Sequence, residues 1–488
     1  MWLSLDGNGA LYRQTYRALR QAILDGQLAA GAQLPSSRTL AEELQVARNT
    51  VLQAYEQLVA EGYAVPRRGA GTFVASELPD APPPAQSERP NDDQAAPRLS
   101  VFGERGAALF GNRLGWGRRR PTPRYDFRYG EPAFDDFPHA TWCRLLARRA
   151  RRASERHLSY SEPGGAPELR EALAGYLART RGVVCDAASV LVVYGTQQAI
   201  DLTARVLLDP GDRAIVEEPG YPGIRNALAM NGAEVVPARV DAEGIVVDDI
   251  ADTSARLACV TPSHQFPLGG VMPLGRRLAL LDWAERVDAV VLEDDYDGEF
   301  RYDGRPLESL RALDRRGRVL YVGTTSKVMF PSLRIAYLVL PEALRPAFFA
   351  AKAFADTGTA HLEQRVLADF IDQGFFERHL RRARVRNAAR RAALLEALTD
   401  EIGSDVEVVG ENSGLHLVAW LDRVKPGDLR TLRELAARRD VGIHPVTPFY
   451  TQRPTRAGII LGYAALDEAA IREGIGRLAE ALRELRAL

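Results

Sequence analysis

The chain has 488 residues and a nearly balanced charge, 63 Lys and Arg against 64 Asp and Glu, for a formal net of -1. That length exceeds one compact core and predicts two or three units, while the balance excludes a global positive field that would draw the whole chain to nucleic acid. Three widely spaced cysteines, Cys143, Cys185 and Cys259, exclude a disulfide framework and a paired-thiolate zinc site, which fits a reducing cytoplasm. No leader-like segment opens the chain, and apolar stretches such as residues 335–340 are too short to span a membrane.

Leu11, Thr15, Leu19, Ala22 and Ile23 recur at helical spacing and stop at Gly26, which predicts a first helix. Ser36 and Ser37 then supply an N-cap for a short helix carrying Leu40, Ala41 and Leu44. A third helix opens at Arg48-Asn49-Thr50, with Val51, Ala54, Tyr55, Leu58 and Val59 on one stripe. Residues 63–65 and 72–74 flank Pro66-Arg67-Arg68-Gly69-Ala70-Gly71 and read as a small hairpin.

Three helices and a basic hairpin are the layout of a winged helix-turn-helix. Residues 10–75 resemble the GntR type through Leu34-Pro35-Ser36-Ser37-Arg38-Thr39-Leu40-Ala41 and the helix from Thr50 to Leu58. The resemblance implies that Arg48, Asn49 and Thr50 meet base edges and phosphates of double-stranded DNA in the major groove. By the same resemblance Ser36, Ser37 and Arg38 suit phosphates, and Arg67, Arg68 and Gly69 carry the wing over the backbone or into a minor groove. Asp25, Glu42, Glu43, Glu56 and Glu61 nearly balance the arginines, so affinity per domain is modest, and dimeric binding to two half-sites is the natural remedy.

Residues 77–100 hold almost no large apolar side chain and read as a Pro-rich linker, with 101–124 loop-like and ending in the run Arg118-Arg119-Arg120. That run reads as solvated, with phosphate contact as the alternative. The expected domains are 1–76, a linker over 77–124, and 125–488, where strands and helices alternate.

In the last region three apolar strands each run into chemically loaded text. Residues 190–194 lead to Gly195-Thr196-Gln197 at a helix start, where backbone amides favour an anion. Residues 289–292 lead to Glu293-Asp294-Asp295-Tyr296, carboxylates at a buried sheet edge that require a cationic partner. Residues 319–322 lead to Gly323-Thr324-Thr325-Ser326-Lys327, with Arg334 seven positions on. Lys327 can condense with an aldehyde, while Thr324, Ser326 and Arg334 can hold a phosphate dianion.

Residues 125–488 resemble the fold-type I aminotransferases through residues 261–269, 293–302 and 323–327, and the whole chain resembles the MocR/GabR regulators. The implied fold is a winged helix followed by an α/β unit, a large mixed and mostly parallel sheet with a smaller α+β C-terminal subdomain. The implied cofactor is pyridoxal 5'-phosphate, joined to Lys327 and held at its ring nitrogen by Asp294, with Tyr296 on its phenolic oxygen and Tyr221 stacked on the ring. Gly195, Thr196, Gln197, Thr324, Ser326 and Arg334 form the implied phosphate cup, and Tyr160 reaches the phosphate of a partner subunit, which implies a homodimer.

Two departures stand out. Where the family places an asparagine before a proline this chain has Phe266, leaving His264 or Gln265 to take its place. Ile460 stands where aminotransferases carry the arginine that binds a substrate carboxylate, leaving Arg225 and Arg456 as candidate effector contacts. No two of the seven histidines stand at metal-ligand spacing, His416 reads as structural, and no metal is expected. The expectation is a regulator that binds promoter DNA and senses the cofactor, an amine or an amino acid, with a working aminotransferase carrying a DNA-binding appendage as the alternative.

Overall fold

The structure is a computed structural model that describes residues 3–78, 97–111, 122–302 and 308–487. The chain divides into two compact units, Met1–Arg98 and Leu99–Leu488. The Arg118-Arg119-Arg120 run and most of the Pro-rich segment lie outside the described residues.

In the first unit the helices are Leu11–Leu24, Ser37–Leu44 and Arg48–Ala60. Ser36 caps the second, its hydroxyl accepting from the Thr39 amide at 3.1 Å, and Gln45 ends it in the left-handed conformation. Leu19, Ile23, Leu40, Val51, Ala54 and Leu58 are buried together, each of the larger side chains among them contributing about 1.5–3 kcal/mol by leaving water. Strands Ala64–Arg67 and Gly71–Val74 pair antiparallel with Arg67 opposite Gly71, so the turn falls at residues 68–70 with Gly69 at φ +77°.

The second unit is built on an eight-stranded sheet. Its order is Val190–Val193, Ala336–Val339, Val319–Thr324, Val290–Asp295, Leu257–Val260, Arg213–Glu218, Glu234–Asp241 and Gly244–Ile245. Ala336–Val339 and Gly244–Ile245 run opposite to the other six strands. The strands from Val190, Leu257 and Val319 are buried along their whole length, which is why they read as continuous apolar text rather than alternation. Parallel register sets Val322 opposite Asp294 and Gly323 opposite Asp295, so the carboxylates and the segment leading to Lys327 leave the sheet side by side.

A second, antiparallel sheet of Val406–Val409, His416–Leu421, Gly458–Gly462 and His444–Pro445 makes the smaller C-terminal subdomain. Helices Phe375–Glu401 and Glu468–Ala487 pack on it through Leu394, Leu398, Ile471, Ile475 and Leu478. Among the described residues no helix is long and apolar enough to cross a membrane.

One expectation is corrected. The loop-like reading of 101–124 fails over Val101–Gly111, which is helical and packs on the helix Pro222–Met230. Gly103, Gly106 and Gly111 weaken the intrinsic helical signal; tertiary packing replaces it, with Gly106 against Met230 and the Arg205 guanidinium 5.9 Å from the Phe102 ring.

Candidate cofactor pocket and nucleic-acid interface

The strand ends and the small subdomain enclose a cavity of about 210 Å³. Lys327, Asp294, Tyr296, Tyr221, Thr196, Gln197, Thr324, Ser326 and Arg334 all line it. Residues drawn from four separate stretches of sequence thus meet around one cavity. Gly195 opens the helix beside it at φ +74°, and a Cβ there would meet the Arg334 guanidinium carbon at 2.8 Å, so the bare backbone lets the arginine approach. Arg334, itself left-handed at φ 56°, donates to the Tyr194 carbonyl at 3.0 Å, and the Ser326 amide donates to the Thr324 hydroxyl at 3.2 Å.

Lys327 donates to the Gly130 carbonyl at 2.9 Å. Burial depresses its pKa below the ordinary lysine range, against the pull of Asp297, Asp294 and Glu131. A desolvated amine is more readily available in its neutral, nucleophilic form. Across the cavity Asp294 is buried and its pKa is pushed up to about 7, first by burial and then by Asp295, with Lys327 opposing. Its Oδ1 is buried with no hydrogen-bond partner in the described structure. An orphaned carboxylate oxygen facing a cavity calls for a donor brought by the occupant.

The cationic partners demanded by the carboxylate cluster are Arg181, ion-paired with Asp295, and Arg277, 3.8 Å from Glu293. Arg181 also donates to Ser263 Oγ at 2.8 Å and the Gly298 carbonyl at 3.1 Å, and Tyr321 donates to Asp295 at 2.6 Å. Glu293 accepts from the Leu310 and Arg311 amides, both at 2.9 Å. Neither arginine's role is legible in local sequence, because each meets its partner only through long-range packing.

His264 is buried behind Tyr296 rather than in the cavity wall, a correction to its expected place on the cofactor. Its Nδ1 lies 2.9 Å from Asp297 and 2.9 Å from the Tyr296 hydroxyl. A hydrogen on Nδ1 would be accepted by the Asp297 carboxylate and the Tyr296 hydroxyl oxygen, which leaves the Tyr296 proton to point elsewhere. Gln265 also turns away, donating to the Pro219 carbonyl at 2.9 Å and to Glu217 at 3.2 Å. Phe266 takes the wall position itself.

Sequence reasoning missed Tyr129, Gly130, Thr261, Asp297 and Leu415 as cavity residues. Asp297, three positions beyond Asp294, was the one with a readable signal. His416 is structural as expected, Nε2 donating to the Pro267 carbonyl at 3.1 Å and burial holding its pKa down at about 3, yet it also lines the cavity. His264, Asp297 and His416 place ligand atoms within 4.8 Å of one another; His264 Nδ1 bonds to Asp297 and Tyr296 and His416 Nε2 to Pro267, while His264 Nε2 is buried with no partner among the described residues.

Two further expectations fail geometrically. Arg456 is held by Glu407 at 2.5 Å and Asp422 at 2.9 Å, over the Trp420 ring, and Arg225 borders a separate small pocket. Neither lines the main cavity. Ile460 is buried beside Phe266 and Phe449, as its aliphatic character dictates. Tyr160 is 94% exposed and does not line this chain's own cavity.

In the smaller unit Arg38, Arg48, Asn49, Arg67, Arg68 and Gly69 are exposed, with Ser37 and Thr50 half-buried and Ser36 exposed at its cap. Arg48 Nε donates to Ser37 Oγ at 3.2 Å, which ties two helix starts into one polar surface. Arg67 lies over the Phe73 ring at 4.5 Å, stiffening the hairpin.

A winged helix of this form and a large mixed sheet with a lysine and an orphaned aspartate at its strand ends define a regulator built on an aminotransferase fold. Residues 11–74 match bacterial regulatory proteins of the gntR family, and residues 126–478 match aminotransferase class I and II. The chain belongs to the MocR-type transcriptional regulators, which join these two parts. It is 42% identical to the probable rhizopine catabolism regulatory protein MocR of Rhizobium meliloti, over 99% of this chain and 96% of that one. It is 30% identical to the HTH-type pyridoxine biosynthesis transcriptional regulator PdxR of Corynebacterium glutamicum, over 96% and 95% of the two chains. The second unit is similar to LysN, the alpha-aminoadipate aminotransferase of Thermus thermophilus solved with N-(5'-phosphopyridoxyl)-L-leucine. That likeness has a TM-score of 0.71 and 30% identity, covering 80% of this chain and 98% of the other.

The cofactor of this family is pyridoxal 5'-phosphate, and the described residues fit it. The Asp294 oxygen that lacks a donor suits a protonated ring nitrogen, the open Gly195 turn with Arg334 suits the phosphate, and Lys327 suits the aldehyde.

Proposed function

We propose that the protein is a homodimeric, cytoplasmic, DNA-binding transcriptional regulator that carries pyridoxal phosphate on Lys327. In this reading it changes its grip on a promoter when that cofactor, or an amine or amino acid reacting with it, occupies the cavity. The observation that carries the reading is the pairing of a desolvated Lys327 with the orphaned, buried Asp294 oxygen in a chain that also presents the Arg48 helix start.

When bound, the cofactor supplies an electron-poor ring and an electrophilic carbon. The chain's own residues do the rest. Asp294 keeps a proton at the ring nitrogen, Tyr296 offers its hydroxyl proton toward the cavity while His264, anchored by Asp297, holds its oxygen, and Arg334 with the Gly195 helix start binds the phosphate. The helix Val101–Gly111 borders the same groove as Gln197 and Arg334, which makes it the element of the linker suited to register a filled cup. Tyr160, exposed in one chain, would complete the phosphate site of the partner. Arg48, Asn49 and Thr50 would read the major groove, with Ser36, Ser37, Arg38, Arg67, Arg68 and Gly69 on the backbone. Genes of vitamin B6 or amino-acid metabolism are the proposed targets, a reading supported for the first by the pyridoxine biosynthesis regulator among the relatives.

The retained lysine and aspartate also favour a second reading, an aminotransferase with an appended DNA-binding unit. Incubating cofactor-loaded protein with a panel of amino acids separates the two. A regulator gives a single spectral change without product, while sustained keto acid formation supports the enzyme. Purified protein that takes up no visible chromophore, or takes it up equally well as Lys327→Ala, would overturn the first reading.

A further inference from the structure

The charges around the cavity bear on what kind of molecule enters it. Among the described residues, its lining holds two permanent or potential cations, Lys327 and Arg334. Arg334 lies at the Gly195 helix start, 3.0 Å from the Tyr194 carbonyl, and belongs to the phosphate end. Lys327 is the reacting amine. His416, the remaining basic side chain in the wall, is kept neutral by burial, with its pKa at about 3.

Against these stand carboxylates. Asp294 and Asp297 line the cavity, and Glu131 is close enough to pull on the Lys327 amine. Two arginines are already engaged, Arg128 with Asp126 at 3.1 Å and Glu131 at 3.4 Å, and Arg456 with Glu407 and Asp422, and Arg225 borders a neighbouring small pocket instead of this cavity. The wall away from the phosphate end is apolar. Phe266 and Leu415 face the cavity, and Phe449 and the fully buried Ile460 back Phe266. Tyr129 adds its ring edge to this wall, 5.8 Å from Phe266 and 5.5 Å from Phe449. A carboxylate brought here would leave water without a cation to meet it and would face like charge. An ammonium group meets the opposite situation, since the nearby carboxylates attract it on its way to the aldehyde.

We infer that the effector of this cavity is a primary amine that carries no carboxylate, selected because the wall opposite the phosphate cup offers apolar surface and negative charge instead of a guanidinium. This rests on the cavity being a pyridoxal phosphate site, as proposed above. The amine nitrogen bonds to the cofactor's aldehyde carbon as the Lys327 nitrogen leaves it, one carbon–nitrogen bond formed for one broken. The incoming nitrogen takes over the double bond to that carbon, the three hydrogens lost by the ammonium end on the released lysine as its own ammonium, and no oxidant or reductant is needed.

The test pairs amines with their parent amino acids on cofactor-loaded, full-length protein: isoamylamine against leucine, and phenethylamine against phenylalanine. Binding is read by calorimetry and by the visible spectrum, and then by affinity for promoter DNA. The inference expects each amine to bind at least about tenfold tighter than its amino acid, the scale at which a site rejects an unpaired polar group. Equal or tighter binding of leucine and phenylalanine overturns it. Binding of none of the four by protein that shows a Lys327-dependent chromophore also overturns it, while leaving the regulatory reading standing; absence of the chromophore removes both. Ile460→Arg, checked for folding by cofactor uptake, is expected to move the preference toward leucine. The wild-type panel decides the question if that variant does not fold.

Discussion

Replacing Arg181 by methionine removes the cation from the carboxylate cluster while keeping most of the side-chain volume. Arg181 and Asp295 are 7% and 2% exposed, and the guanidinium also serves Ser263 and Gly298. Breaking a buried pair on one side leaves the other charge uncompensated, at a cost of about 3–5 kcal/mol. The neighbours worsen matters, because Glu293, Asp294 and Glu299 all have pKa values already raised to about 7 by burial and by Asp295. Arg181→Met is therefore expected to lose about 3–5 kcal/mol in urea unfolding followed by tryptophan fluorescence. Trp142, Trp283 and Trp420, all buried in the larger unit, report on its unfolding. Adding Asp295→Asn should restore more than half of the loss, since the amide still accepts from Tyr321 without needing a cation. A loss below about 1 kcal/mol, or no rescue in the double variant, would refute the claim that Arg181 neutralises this cluster.

Three further outcomes follow from other parts of the molecule. Gly195→Ala should weaken pyridoxal phosphate binding at least about tenfold in a spectroscopic titration, because the new methyl displaces Arg334 and strains a residue at φ +74°. Asp294→Asn should alter the pH dependence of the cofactor-free protein in a definite sense. The wild-type carboxyl titrates at its ordinary 3.8 when unfolded and at about 7 when folded, so its contribution to stability is complete below 3.8 and is lost as pH rises through 7. The variant should therefore gain on wild type as pH increases across that window, and an unchanged difference would contradict it. Arg38→Ala, at a backbone contact, should weaken promoter binding nearly uniformly across sequences and lower the slope of log affinity against log salt by about 1.

Much of the larger unit was legible because its chemistry sits in local text. Apolar runs at 190–193, 289–292 and 319–322 announced buried strands, and Thr196, Asp294 and Lys327 fall at or just past their ends. The winged helix was readable for a similar reason: Ser36, the Leu40 to Leu44 stripe and Gly69 signal cap, core face and turn within a few positions. What escaped depends on contacts far apart in sequence. Arg181 meets Asp295 and Gly130 meets Lys327 only once the sheet and the segment after Tyr125–Asp126 are in place. Arg225 and Arg456 were plausible on residue type, but local carboxylates and packing fix where an arginine side chain goes. The helix Val101–Gly111 was hidden by its glycines, its order coming from the surface it packs on.

The central claim is that the state of one cavity is read out on DNA. Fluorescence anisotropy of labelled promoter fragments, titrated with cofactor-free protein and repeated with added pyridoxal phosphate, measures it directly. The account predicts a change in apparent Kd of at least about fivefold on cofactor addition, the lower end of ordinary coupling between two sites, and no such change in Lys327→Ala. Identical affinities for the free and loaded wild-type protein, or the same shift in the alanine variant, would contradict it.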